Sequence, residues 1–141
     1  MCHRGQLIVV DTAVPPSAAK LHDALVAVWP RLAHRVKFRQ GEIDAVALEP
    51  HDVVVSCHAC GSLTDRILEL ATGAGARVAV LPCCHDLAAS DTGNLTGWLD
   101  GPLAVDVMRA ERLRALGYHV STHTIPDAIT PKNRLLLGQP T

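Results

Sequence analysis

The 141 residues carry 13 Lys and Arg against 14 Asp and Glu, a formal net charge of −1, with 48% hydrophobic and 19% charged positions. That balance excludes an intrinsically disordered chain and gives no support to a nucleic-acid-binding surface spread over the protein. The length fits one domain with a real core, and aromatics at 3% leave Val, Leu, Ala and Ile to fill it.

No apolar run reaches the roughly 18 residues of a membrane span. The opening Met1-Cys2-His3-Arg4-Gly5 lacks the apolar core and cleavage site of a secretory signal. Four of the five cysteines bunch at two points of the chain, Cys57/Cys60 and Cys83/Cys84. Such bunching makes a poor disulfide framework, and a reducing, cytoplasmic setting is expected.

Gln6–Val10 (QLIVV) is apolar on both faces and reads as a buried strand ending at Asp11. Pro15-Pro16-Ser17 opens a helix with Ser17 as N-cap, Leu21, Leu25 and Val28 as its apolar stripe, and Pro30 as its breaker. Val36–Arg39 is a short strand before the turn Gln40-Gly41-Glu42, and Asp52–Ser56 is a second buried strand. Ser62 and Asp65 look like a capping pair for a helix through Ala71 that stops at Gly73. Arg77–Leu81 is a third buried strand, residues 86–102 an irregular segment, and Ala104–Leu116 an amphipathic helix ended by Gly117. Tyr118–Ile125 and Asn133–Leu137 form an antiparallel hairpin with a long connection. Strands alternating with helices imply a parallel sheet with an antiparallel C-terminal edge.

Ligands of open α/β sheets bind beyond the carboxyl ends of the strands. Asp11, Glu42, Cys57-His58 and Cys83-Cys84-His85 all fall there. An acid at a strand end suits ribose hydroxyls, and equally suits a helix cap or open solvent. A zinc site could draw on Cys57, Cys60, Cys83 and His85. Cys83 and Cys84, as neighbours in extended chain, are expected to point apart and not share one ion. Strand, Cys57-x-x-Cys60, helix also has the order of a thiol redox site, although Ser56 stands where an aromatic is usual. Free cysteines are often small buried hydrophobes, and that is the expected fate of Cys57 and of one of Cys83 and Cys84.

His58-Ala59-Cys60-Gly61-x-x-Thr64-Asp65, Pro82-Cys83-Cys84-His85 and Thr130-Pro131-Lys132-Asn133-Arg134 together resemble a branch of class I S-adenosylmethionine-dependent methyltransferases. That branch is the domain found in methyltransferase-like protein 25 and in the glutathione S-transferase C-terminal-domain-containing protein. The resemblance covers nearly the whole chain. It implies a single domain over 1–141 with a Rossmann-like, mostly parallel sheet, an antiparallel C-terminal strand, and the family's first strand and helix missing.

As the resemblance implies, Asp11 holds the cofactor ribose, Glu42 lies beside the adenine, and Cys57 belongs to the cofactor side. His58 and Cys60 face the transferred methyl group, and His85 stands on the substrate side. The family's glycine-rich turn has no counterpart here, since Gly73-Ala74-Gly75 precedes a strand instead of following one. The expected activity is therefore S-adenosylmethionine-dependent methyl transfer to an unknown acceptor, weak in this chain alone. The alternative is a non-catalytic Cys/His domain that binds zinc or a partner. A missing central strand would leave apolar edges for a second copy or a partner chain. Arg109, Arg112 and Arg114 read either as charge offered to an anionic acceptor or as a solvated helix face.

Overall fold

The computed structural model of the protein describes residues 5–141, so the readings on Met1–Arg4 lie outside the described residues. The chain divides into two compact units, Met1–Ala47 and Leu48–Thr141.

In the first unit, β1 (Leu7–Asp11) pairs in parallel with β2 (Val36–Gln40), Leu7 opposite Val36 and Asp11 opposite Gln40. The connection between them carries α1 (Ser17–Val28) and a short 3-10 turn at Pro30–Leu32. Pro30 ends the helix as its sequence requires, but the N-cap is Pro16, without a side-chain cap, and Ser17 is the first helical residue. Leu7 and Ile8 are 56% and 49% exposed and Leu21 and Val28 are also exposed, where a buried strand and a buried helix stripe are expected. Two strands and one helix supply too little apolar surface to enclose these residues within a unit of this size.

The second unit is a four-stranded sheet in the order β3 (Val53–Cys57), β4 (Arg77–Leu81), β6 (Arg134–Pro140), β5 (Tyr118–Thr124). β3 and β4 are parallel, and β6 is antiparallel to both β4 and β5. The hairpin expected from its alternation is present, with its second strand inserted beside β4 instead of lying at the edge. α2 (Ser62–Gly73) and α3 (Gly101–Ala115) pack against the sheet and against each other. Their apolar faces, Ile67, Leu68, Ala71, Ala104, Val105, Ala110 and Leu113, make the core with Val78, Val80 and Leu136.

Gly138 of β6 is placed by packing: a Cβ there would come within 3.1–3.2 Å of Val78, Leu113 and Tyr118. Tyr118 is buried and its hydroxyl donates to the carbonyls of Ala76 (3.1 Å) and Ala71 (3.4 Å), tying β5 to the end of α2. β4 is buried as expected. β3 is not: Val53 and Val55 are 54% and 67% exposed, because β3 is the edge of the sheet and the helices cover the face carrying Val54 and Ser56.

Two capping expectations are corrected. α2 starts after Gly61, with no side-chain cap from Ser62 or Asp65. α3 begins at Gly101, earlier than its apolar pattern suggests, because Asp100 caps it by accepting from the Leu103 amide at 3.0 Å.

Candidate functional site

β3 and β4 lie side by side and parallel, so the segments that follow them leave the sheet at one end. The turn after β3 is His58–Gly61, with His58 at φ 64° and Gly61 at φ 56°. A left-handed backbone is natural for glycine but costs about 1–2 kcal/mol at a residue such as His. The surroundings hold the turn in place. The Thr64 hydroxyl, fully buried, donates to the Ala59 carbonyl at 2.6 Å. The Gly61 amide donates to the Cys84 carbonyl at 3.0 Å, and the Arg109 guanidinium to the Gly61 carbonyl at 3.1 Å. The backbone after β3 is thus tied directly to the backbone after β4.

The result is a cluster of three thiols. The Sγ atoms of Cys60, Cys83 and Cys84 lie within 4.8 Å of one another, with Cys60 and Cys83 at 3.4 Å. Cys83 is buried, while Cys60 and Cys84 are exposed. Adjacent cysteines can join one cluster because β4 ends at Leu81: residues 82–86 have no strand geometry, and the alternation expected to separate Cys83 from Cys84 does not apply. Of the four zinc ligands read from the sequence, Cys60 and Cys83 come together, Cys84 joins them, and Cys57 and His85 lie outside the group. Cys57 ends β3 exposed, not packed in a core.

The thiols act on one another. The Cys60 thiol is pushed up to about 11, chiefly by its hydrogen bond with Cys83 and then by that with Cys84. Cys84 moves down, chiefly because Cys60 and then Cys83 donate to its sulfur, with the positive charge of Lys132 adding to the effect.

A second constellation is centred on Asp106 of α3. Its Oδ1 lies 2.7 Å from His85 Nε2 and 3.3 Å from an Arg109 nitrogen, and its Oδ2 accepts from Arg134 Nε at 2.8 Å. A carboxylate can only accept here, so His85 Nε2 carries the proton and Nδ1 holds the lone pair. The His85 side chain is only 4% exposed, and the residue lines a cleft of about 200 Å³ with Pro82, Pro131, Lys132, Asn133 and Arg134. Lys132 and Arg134 give the cleft a basic wall.

Arg109 is 3% exposed and does not belong to a solvated helix face. Its guanidinium donates to both oxygens of Asp65, at 2.9 and 2.8 Å. Burial works against its charge, but the hydrogen bonds and charge of Asp65, followed by Asp106, outweigh that cost and hold Arg109 above its ordinary value. Arg112 and Arg114 are exposed and pair with Glu69 and Glu111. Sequence reasoning offers little for Asp106. Its one signal is the i,i+3 spacing to Arg109, which puts both on one helix face.

In the first unit, Asp11 ends β1 and Glu42 follows β2, both exposed at the carboxyl ends of the parallel pair. Asp11 Oδ1 is 3.4 Å from the Ala13 amide and 3.3 Å from the Thr12 hydroxyl, while Oδ2 takes no donor among the described residues. The Gly41 amide donates to the Asp11 carbonyl at 2.9 Å, which joins the two strand ends. The glycine-poor connection Thr12–Pro16 leads from β1 to α1.

A family model described as a methyltransferase domain matches residues 10–91. The solved structure of the Methanococcus jannaschii fibrillarin pre-rRNA processing protein is similar in fold, with a TM-score of 0.57 at 14% identity. The match covers 96% of this chain and 56% of that one, so this chain spans little more than half its length. No curated protein sequence matches. Among the described residues no helix is long and apolar enough to cross a membrane.

Proposed function

The chain belongs to the methyltransferase-domain family, and from that premise we propose that it is an S-adenosylmethionine-dependent methyltransferase of the methyltransferase-like protein 25 branch. The observation that carries this is the extent of the family match: residues 10–91 contain Asp11, Glu42, Cys57, His58, Cys60 and His85 together. The finer assignment to that branch is supported by the sequence motifs around Cys60, Cys83 and Lys132 alone.

The donor set of the first unit suits the nucleoside end of the cofactor. Asp11 presents an unengaged carboxylate oxygen at a strand end, the group that accepts from vicinal ribose hydroxyls. Glu42, exposed after the neighbouring strand, would accept from the adenine amino group. The sequence contains no Gly-x-Gly-x-x-Gly stretch to bring backbone close to the methionine end, so this chain binds the cofactor weakly. When bound, S-adenosylmethionine supplies an electrophilic methyl group on its sulfonium.

The second unit would carry the acceptor side. Asp106 fixes the ring of His85 and leaves Nδ1 to take the acceptor's proton. The resemblance assigns His58 and Cys60 to the methyl-transfer side and Cys57 to the cofactor side. Lys132 and Arg134 on the cleft wall favour an acceptor with an anionic group. The exposed apolar face of β3 supports association with a second copy or a partner chain, which light scattering checks: a strict monomer at high concentration removes this part. The free thiols support a reducing, cytoplasmic setting.

Titration calorimetry with S-adenosylmethionine and S-adenosylhomocysteine tests the cofactor assignment. Weak binding lost in Asp11→Ala is the expected result. No heat at millimolar ligand overturns it.

A further inference from the structure

We propose that Cys60, Cys83 and Cys84 form a binding site for a thiophilic metal ion, zinc(II) in the first instance, with one coordination position left open. Nothing in the methyl-transfer reading requires this site, and it stands on separate observations. Three thiolates around a tetrahedral ion with metal–sulfur bonds of ~2.3 Å lie about 3.8 Å apart. In the protein the three sulfurs are within 4.8 Å of one another, and one pair is at 3.4 Å. Shifts of about an ångström or less close the site, which is small beside the rearrangement needed when ligands must be gathered from an unfolded chain.

The backbone that carries these thiols is held without an ion. Gly61 is bonded to Cys84, Thr64 to Ala59, and Arg109 to Gly61. These contacts fix the turn after β3 against the segment after β4, so the cluster is set by the fold. Cys60 and Cys84 are exposed and give the ion a path from solvent, while Cys83 forms the floor.

Three thiolates and a divalent ion sum to −1, and the charge of Lys132 already acts on Cys84. Each thiol that ligates surrenders its proton to the buffer, so uptake releases up to three protons per ion. The group has three members among the described residues, and His85 is committed to Asp106. The fourth position therefore falls to water or to a small exogenous donor such as a thiol. Three protein ligands with an open place is the arrangement of catalytic, not structural, zinc.

The test uses the full chain, reduced and stripped of metal by chelator. Zinc(II) is titrated against a chromophoric chelator, and cobalt(II) is added in parallel as a spectroscopic probe. One equivalent of zinc and thiolate-to-cobalt charge-transfer bands with tetrahedral d–d absorption are expected. Cys60→Ser and Cys84→Ser should each weaken zinc binding by at least about tenfold, since displaced outer-shell partners alone cost that much. Both positions are exposed, so circular dichroism should show these variants folded. Cys57→Ser, outside the cluster, should bind like the unaltered chain. The proposal is overturned if zinc is not taken up, if Cys57→Ser weakens binding as much as Cys60→Ser, or if Cys84→Ser leaves it unchanged. Because no cofactor is present, failure here leaves the methyltransferase assignment standing, and failure of calorimetry with S-adenosylmethionine leaves this site standing.

Discussion

Replacing Arg109 by Met should unfold the second unit at much lower denaturant, and the magnitude can be worked from its partners. The guanidinium makes two bonds to Asp65, one to Asp106 and one to the Gly61 carbonyl, from a side chain that is 3% exposed. Removing one partner of a buried ion pair costs about 3–5 kcal/mol, most of it from the charge left behind. Here the residual charges are partly compensated. Asp65 is 29% exposed and can rehydrate, and Asp106 keeps Arg134 and His85. The lower end, about 3 kcal/mol, is therefore expected. With a urea slope of ~1.5 kcal/mol per molar, that is about 2 M in the midpoint.

Removing the abandoned charge as well should restore stability, so Arg109→Met with Asp65→Leu should cost only about 1 kcal/mol. Urea unfolding followed by circular dichroism, with hydrogen exchange of the β4 and α3 amides to localise the loss, measures both variants. A single variant that loses less than about 1 kcal/mol, or a double variant no better than the single, would refute this account of a buried charge held by Asp65.

Tyr118 is the chain's only tyrosine, and burial raises its pKa, so its absorbance titration should have a higher midpoint in the folded protein than in denaturant. Since the folded value is the raised one, its contribution to stability is complete below about pH 10 and is lost as pH rises through the folded value; Tyr118→Phe should remove this dependence and cost about 1–3 kcal/mol at neutral pH by leaving the Ala76 carbonyl unpaired. Gly138→Ala should destabilise by about 1–3 kcal/mol through overpacking against Val78, Leu113 and Tyr118, read from the thermal midpoint. Thr64→Val keeps the shape but strips the buried bond to Ala59, so a loss of about 1–3 kcal/mol is expected in urea unfolding. If methyl transfer is detected with any acceptor, Asp106→Asn should lower the rate while leaving calorimetric binding of S-adenosylmethionine unchanged, because Asp106 acts on the His85 ring and not on the cofactor.

The sequence by itself determined the elements and their kinds. Val53–Cys57 and Arg77–Leu81 are β-branched apolar runs, α2 stops at glycine, α3 ends before Gly117, and Pro30 ends α1, all because local sterics and periodicity suffice for such decisions. It also placed Asp11, Glu42, His58 and His85 at strand ends, since a residue that follows an apolar strand must leave the sheet there.

Tertiary structure alone decided what lies beside what. The order β3-β4-β6-β5 sets Cys60 against Cys83, and the loss of strand geometry after Leu81 lets Cys84 join them. Arg109 looks like one of three solvated arginines until α3 packs on α2 and buries it against Asp65. Val53 and Val55 look like core until the sheet ends at β3 and leaves one face of it open. Burial and long-range pairing depend on residues tens of positions apart, and no local pattern encodes which strand will be the edge.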